Sequence, residues 1–230
     1  MDGLIRTDEA WRALDTVVDP ELDEPITDLG FVRSLDVVDA DVVVHLRLPT
    51  SFCAPNFSYL MASDAKDALT ALPWTRRVTV ELDDHHDSDL INRGLAADAG
   101  YRGTFGHEAD QDLEQLRTTF QRKAHTAAME RVLTRLTRAG TPIAELGRVR
   151  IGDLPDDDAT RALLRRRAVI GLRTGDELPV FVDHTGAPYP EMELPLQLRL
   201  ARSTRISIEG NAHFCRGLLA TRYDLTESAS

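Results

Sequence analysis

Between residues 96 and 110 the hydrophobic pattern of the chain changes period, which restricts it to folds made of two unlike parts. Before that point, β-branched residues gather in the short runs FVRSLDVV, VVVHLRL and RRVTVEL. Such runs, and alternation like that of Val78, Val80 and Leu82, predict half-buried strands. After it, Leu113, Leu116, Phe120, Ala124, Ala127, Val132 and Leu136 recur on one face until Gly140 and Pro142. That predicts a helix of about 28 residues starting near Asp110, whose stripe needs a covering partner. Gly100, Gly103 and Gly106 between the two patterns read as a linker loop. The expected division is a first domain over 1–100 and a second over 108–230. A chain of 230 residues also exceeds the roughly 100–150 residues of the commonest domains.

The first part reads in the order helix, strand, strand, helix, strand. Thr7 is placed to cap a helix beginning DEAW, with Trp11, Leu14, Val17 and Val18 as its apolar side, ended by Asp19-Pro20. The acidic turn Asp39-Ala40-Asp41 joins the first two strands as a hairpin. The loop PTSFCAPN leads into a helix over about 57–72, with Asn56 or Ser58 as its cap and Pro73 beyond its end. In the second part a shorter helix over about 157–170 and the strand-like pieces LPVFVD, LPLQLRL and RISI are available to cover the long helix. The expected fold class is α+β, a small α-β-β-α-β domain followed by a mixed α and β domain headed by a long helix.

Charge narrows the partners. A formal net charge of -11 repels phosphate backbones, so no nucleic-acid partner is expected. The basic run RALLRRR has Leu163, Leu164 and Ala168 at helical spacing and reads as an amphipathic helix with a solvated basic face, or as a contact for an acidic protein. No apolar stretch approaches the roughly 20 residues that cross a bilayer, and Met1 to Glu9 carries acids where a signal peptide needs basic and then apolar residues. The expectation is a cytoplasmic protein with no membrane partner. Phosphate-loop, dinucleotide, zinc-protease and serine-elbow motifs do not occur, so no nucleotide cofactor is expected.

The candidate chemistry centres on Cys53. It lies in a loop entering a helix, where backbone N–H groups and the helix dipole favour a thiolate for metal binding or nucleophilic attack. The alternative is a small buried apolar side chain. Asp28, in the turn before the hairpin, could orient Cys53, take a proton or ligate iron, or could hold an Asx-type turn. Thr50 can hydrogen-bond within the cysteine loop. His85 and His86, flanked by Asp83, Asp84 and Asp87, offer nitrogen and carboxylate ligands for a borderline metal or else form a solvated acidic loop. Cys53 and Cys215 are too far apart in sequence for a closed zinc motif, and a structural disulfide is not expected. His213 and Cys215 form a weak H-x-C metal signal, for which core packing beside Phe214 is the favoured reading. His45 reads as a strand surface residue, His107 and His125 as solvated, and His184 as part of a turn.

Asp19-Pro20-Glu21, then Ile26 with Asp28-Leu29-Gly30 before a hairpin, then Thr50 and Cys53 before a helix, occur together and in order. In these residues the segment over about 7–95 resembles the PaaD/SufT-like family of metal-sulfur cluster assembly proteins. It departs from that pattern at the cysteine, reading Phe52-Cys53-Ala54-Pro55-Asn56 in place of a Gly-Cys-Pro-like sequence. The resemblance implies a role in making or inserting an iron-sulfur cluster or iron cofactor, with transient iron or cluster as cargo. It implies as partners iron-sulfur assembly proteins or a client metalloenzyme, such as a multicomponent iron monooxygenase, with the second domain for client recognition. The resemblance covers Cys53, Asp28 and Thr50, expected as the working group; Cys53 and Asp28, with His85 and His86 added on the chemistry of their side chains alone, are the expected metal contacts. A thiol enzyme using His85 to activate Cys53, and a non-catalytic interaction module, are the alternatives. Oligomeric state is not legible.

Overall fold

The computed structural model describes residues 2–106 and 113–224. Two compact units emerge: residues 1–115 together with 211–230, and residues 116–210. The chain therefore leaves the first unit within one long helix and returns to it within another, where a single cut at 100–108 is the expectation from pattern alone.

In the first unit, helix α1 (Asp2–Leu14) precedes a two-residue ribbon of β1 (Val18–Asp19) and β2 (Glu24–Pro25). The expected cap at Thr7 is not formed: the helix starts earlier, and the Thr7 hydroxyl donates to the Gly3 carbonyl at 3.0 Å from inside it. Strands β3 (Val32–Val38) and β4 (Asp41–Arg47) form the antiparallel hairpin, turning at Asp39 with φ 55°. Helix α2 (Pro55–Thr70) then carries the chain over to β5 (Arg77–Asp83), which pairs parallel to β4 and completes the sheet order β3-β4-β5. A parallel neighbour requires such a crossover, and α2 supplies it. Alternation along β4 buries Val42, Val44 and Leu46 on one face, against Leu60-flanking residues Tyr59, Met61, Ala62, Ala65 and Leu69 of α2 and Leu14 of α1.

Neither Asn56 nor Ser58 caps α2. Ala54 occupies the cap with extended geometry, Pro55 takes the first helical position, where a missing N–H costs nothing, and Ser58 donates back to the Ala54 carbonyl at 3.1 Å. The expected glycine linker is also ordered. After helix α3 (Ser88–Ala96), residues Gly100–Phe105 form helix α4, because Tyr101 and Phe105 pack on Tyr59 with ring centroids 5.4 and 5.9 Å away. His107 lies outside the described residues.

The second unit is helical around a core of Met129, Val132, Leu133, Leu163, Phe181 and Leu198. Helix α5 (Leu113–Arg138) is followed by short 3-10 turns, helix α6 (Asp158–Val169) and helix α7 (Leu194–Arg222). LPLQLRL and RISI, expected as strand-like, both lie in α7, and LPVFVD contributes only isolated bridges. The β content of this unit is confined to the bridges Arg150–Pro179 and Val182–Pro188. Two further expectations are corrected here. Arg167 is buried and donates to the carbonyls of Arg173 and Pro179, both at 3.2 Å, so one member of the basic face points inward. His125 is buried, not solvated.

Candidate functional site

The ribbon β1–β2 builds a tight turn out of Asp19-Pro20-Glu21. The Asp19 carboxylate accepts the backbone N–H groups of Glu21 (2.8 Å) and Leu22 (2.9 Å), and its carbonyl accepts that of Asp23 (2.9 Å). Closing the turn on itself places Asp19 in the core edge, 7 % exposed. Burial drives its carboxyl pKa up to about 6, against the two N–H bonds, which favour the charged form.

Cys53 is half-buried in the loop that ends at Pro55, packed against the first unit's core. Its Sγ lies 3.6 Å from the Thr50 hydroxyl, which also accepts the Phe52 N–H at 3.2 Å. His85 secures the same loop from behind. Its Nδ1 accepts the Asp87 N–H at 3.0 Å, so Nε2 carries the proton and donates to the Cys53 carbonyl at 2.8 Å. Ser58 Oγ lies 3.3 Å from that Nε2. His85 thus faces the backbone of Cys53, not its sulfur, and the buried ring orients the loop. This geometry does not give the base of a thiol enzyme. His86 is exposed beside Phe52, with ring centroids 5.8 Å apart, and its backbone N–H donates to the Ser51 carbonyl at 2.9 Å. Asp28 is exposed, in a turn closed by backbone bonds from Leu29 to Pro25, Gly30 to Thr27 and Phe31 to Ile26.

The end of α7 adds Asn211, Leu219 and Arg222, which sequence reasoning left out, and Cys215, which it considered only as part of an H-x-C pair. Asn211, Cys215, Leu219 and Arg222 recur at helical spacing and so share a face. Asn211 Nδ2 donates to Glu21 Oε1 at 3.2 Å, and Arg216 pairs with Glu24. Leu219 is buried so close to Gly30 that a Cβ there would meet its Cδ2 at 3.3 Å, and Gly30 has φ 74°, so two constraints require glycine. Arg222 donates to the Leu48 carbonyl (3.0 Å) and to Ser51 Oγ (2.8 Å). Between these anchors Cys215 is half-buried within electrostatic reach of Asp19, Cys53 and Glu21; burial first, then those groups, push its thiol pKa up to about 11. Helical placement also overturns the core reading of the H-x-C pair: His213 and Phe214 are exposed, and only Cys215 turns inward. The local H-x-C pattern points to Cys215 but not to its surroundings, because the charged groups that influence it lie in the first 53 residues.

Thr50 and His85 are therefore brought to Cys53, while Asp28 and His86 are exposed. Among the described residues no group of three or more His, Cys, Asp or Glu side chains is placed to hold a metal ion.

The sequence model of the iron-sulfur cluster assembly proteins matches residues 7–82, which contain the Asp19 turn, the hairpin and Cys53. An uncharacterized protein of Methanocaldococcus jannaschii is 30% identical over 93 residues, covering 40% of this chain and 96% of that relative. The chain belongs to the iron-sulfur cluster assembly family. Its membership is carried by the first unit, and ties the chain to cluster assembly. The family match stops at residue 82, so the face of α7 that bears Cys215 lies outside the matched segment. Among the described residues no helix is long and apolar enough to cross a membrane.

Proposed function

We propose that this member of the cluster assembly family is a non-enzymatic maturation factor that hands iron or an iron-sulfur cluster to a client metalloenzyme through Cys53. The observation that carries this reading is the environment of Cys53 inside the family-matched segment. Its sulfur is partly open, the Thr50 hydroxyl is near enough to hydrogen-bond a thiolate, and the loop is pinned by His85 without a side chain committed to general-base work at the sulfur. A thiolate held this way is a soft ligand. With no three-ligand group among the described residues, cargo bound there is released readily, which suits delivery and not storage. The second unit, 116–210, recognises the client, and the PaaD-like features of the first unit favour an iron-dependent monooxygenase as that client.

The test is delivery in cells. A strain lacking the chain is grown with radiolabelled iron, and the iron-containing enzymes that lose label and activity are identified. Wild-type protein restores both, and Cys53→Ser, which keeps a polar atom but removes the soft ligand, does not. Full restoration by a stably folded Cys53→Ser protein overturns the proposal.

A further inference from the structure

We propose that Phe52 is the anchor by which the client docks beside Cys53, its ring entering an apolar pocket of the client that is rimmed by lysine or arginine. The inference deepens the delivery reading and rests on it for the identity of the partner as a client.

Phe52 is 81% exposed. Single exposed apolar side chains are common and need no explanation. Phe52 differs from them in how its backbone is held. Its N–H donates to the Thr50 hydroxyl at 3.2 Å. On one side of it, Ser51 accepts the His86 N–H at its carbonyl (2.9 Å) and an Arg222 N–H at its hydroxyl (2.8 Å). On the other, the Cys53 carbonyl accepts from His85 Nε2 at 2.8 Å. The segment 85–86 and the end of α7 thus fix the residues before and after Phe52, while its ring pairs with that of His86, 5.8 Å away. An aromatic side chain on a loop already held in place loses little freedom on binding, and such side chains dominate the energetics of interfaces. Phe52 also adjoins Cys53, and successive Cα atoms are about 3.8 Å apart. A pocket that takes the ring therefore brings its owner's surface up to the half-buried cysteine, so that docking and exchange of cargo involve the same partner.

Charge specifies the rim of that pocket. Asp84 and Asp87 flank His86 in the chain. Asp84 accepts the Tyr223 hydroxyl at 3.3 Å, and among the described residues neither carboxylate is paired with a lysine or arginine. Arg222, the cation at this end of the unit, is committed to the carbonyls of Leu48 and Asp84 and to Ser51. Residues 116–210 are net basic, so the whole acidic excess of the chain lies in the first unit. A basic rim is drawn to such a surface, whereas a second copy of this chain, presenting the same acids, is repelled.

The probe is p-benzoyl-phenylalanine in place of Phe52 in the whole chain, irradiated in cells that otherwise lack the protein. The expected result is a cross-link to one other protein, through a segment whose apolar residues are flanked by lysine or arginine. That protein is then purified free of metal, and its binding to the wild-type chain and to variants of unchanged melting temperature is measured. Phe52→Ala should weaken binding by about ten-fold or more, and Phe52→Leu, which keeps an apolar side chain, by less. Binding to wild type should weaken as salt is added, and less steeply for the Asp84→Asn, Asp87→Asn double variant. A cross-link to a second copy of the chain, the absence of any cross-linked protein, or equal binding by Phe52→Ala and wild type each overturns the proposal. The two readings fail separately. Equal binding by Phe52→Ala, with iron delivery lost in Cys53→Ser, removes the anchor and leaves delivery through Cys53 standing. Full delivery by Cys53→Ser, with binding weakened in Phe52→Ala, removes the delivery role and keeps the anchor for a partner that is not a client.

Discussion

Arg222 donates to Ser51 Oγ at 2.8 Å, which ties the last turn of α7 to the loop that carries Cys53. The same guanidinium reaches the carbonyls of Leu48 (3.0 Å) and Asp84 (2.5 Å). One side chain thus joins three segments that meet around the cysteine loop. Tyr223, the next residue, adds its ring 5.2 Å from Arg47 and its hydroxyl 3.3 Å from Asp84.

Replacing Arg222→Met keeps much of the side chain's apolar length and removes all three bonds. Hydrogen bonds from a charged donor contribute about 1.5–3 kcal/mol each where buried, and less here because the group is partly solvated. The expected outcome is faster alkylation of both cysteines by a neutral thiol reagent, with the melting temperature of the protein lowered by a few degrees at most. Unchanged cysteine reactivity would show that Arg222 does not hold the helix end to the loop.

Asp19 gives a second test. Its carboxyl pKa is raised in the fold to about 6 from an ordinary 3.8, so its contribution to stability is full below pH 3.8 and is lost as pH rises toward 6. The loss amounts to about 3 kcal/mol at neutral pH. Asp19→Asn keeps the Oδ1 acceptor for the Glu21 and Leu22 N–H groups and removes the charge. The variant should equal wild type near the acid limit, exceed it in denaturant unfolding at pH 7, and lower the thiol pKa of Cys215 by removing a neighbouring negative charge. A variant less stable than wild type at pH 7 would mean that the turn needs the carboxylate itself.

The hairpin, helix and third strand of the first unit were legible in the sequence because their signals are local. The two β-branched runs around Asp39-Ala40 give the hairpin, the alternation of Val78, Val80 and Leu82 gives the third strand, and a helix is expected between them; its start at Pro55 and the parallel pairing of β5 with β4 come from the structure. Helix α7 was not legible, because Leu194, Leu196, Leu198 and Leu200 alternate like a strand. The helix resolves that run differently, burying Leu194, Leu198 and Ala201 and leaving Leu196 and Leu200 exposed at 47% and 54%. Exposed leucines on a helix carry little penalty, so period two in a short window does not decide the element. At the site, Thr50 beside Cys53 follows from proximity in the chain, whereas the bond from Asn211 to Glu21 and those from Arg222 to Leu48 and Ser51 are consequences of the chain's return through α7, which no short-range pattern encodes.

In the second unit, Glu130 of α5 is fully buried and receives Arg202 at 3.1 Å, Arg205, and the Thr134 hydroxyl at 2.6 Å. Burial pushes its carboxyl up, but the bonds from Thr134, Arg205 and Arg202 outweigh it and hold the group below the usual carboxylate value. Glu130→Ala removes the buried acceptor shared by the two arginines and the Thr134 hydroxyl and opens a void, while Arg205 keeps Glu209 and Arg202 keeps Thr134 and solvent, so the cost should be about 2–3 kcal/mol. Arg202→Ala, whose side chain is 46% exposed, should cost about 1 kcal/mol or less. Urea unfolding of the two variants checks the ratio; equal costs would place the stability of this cluster in the individual pairs and not in the buried carboxylate.

His125 supplies a pH signature of opposite sign to that of Asp19. The residue is 1% exposed, and among the described residues its Nε2 has no hydrogen-bond partner. Burial first, and then the charge of the buried Arg167, lower its pKa from an ordinary 6.5 to about 4. The unfolded chain therefore binds a proton that the folded unit refuses, so this residue's contribution is full above pH 6.5 and is lost as pH falls toward 4. The loss is about 3 kcal/mol when complete. Because Asp19 gains stability over an overlapping range as pH falls, the wild-type profile alone hides both slopes, and each must be read as a difference between variant and parent. His125→Leu removes the titrating ring along with an unsatisfied buried nitrogen, an exchange that costs little when the replacement fills the space. Its stability relative to wild type should rise steadily as pH is lowered from 6.5 to 4, measured by denaturant unfolding at each pH. A difference that stays constant over that range would mean that His125 takes up its proton in the folded unit as easily as in the unfolded chain.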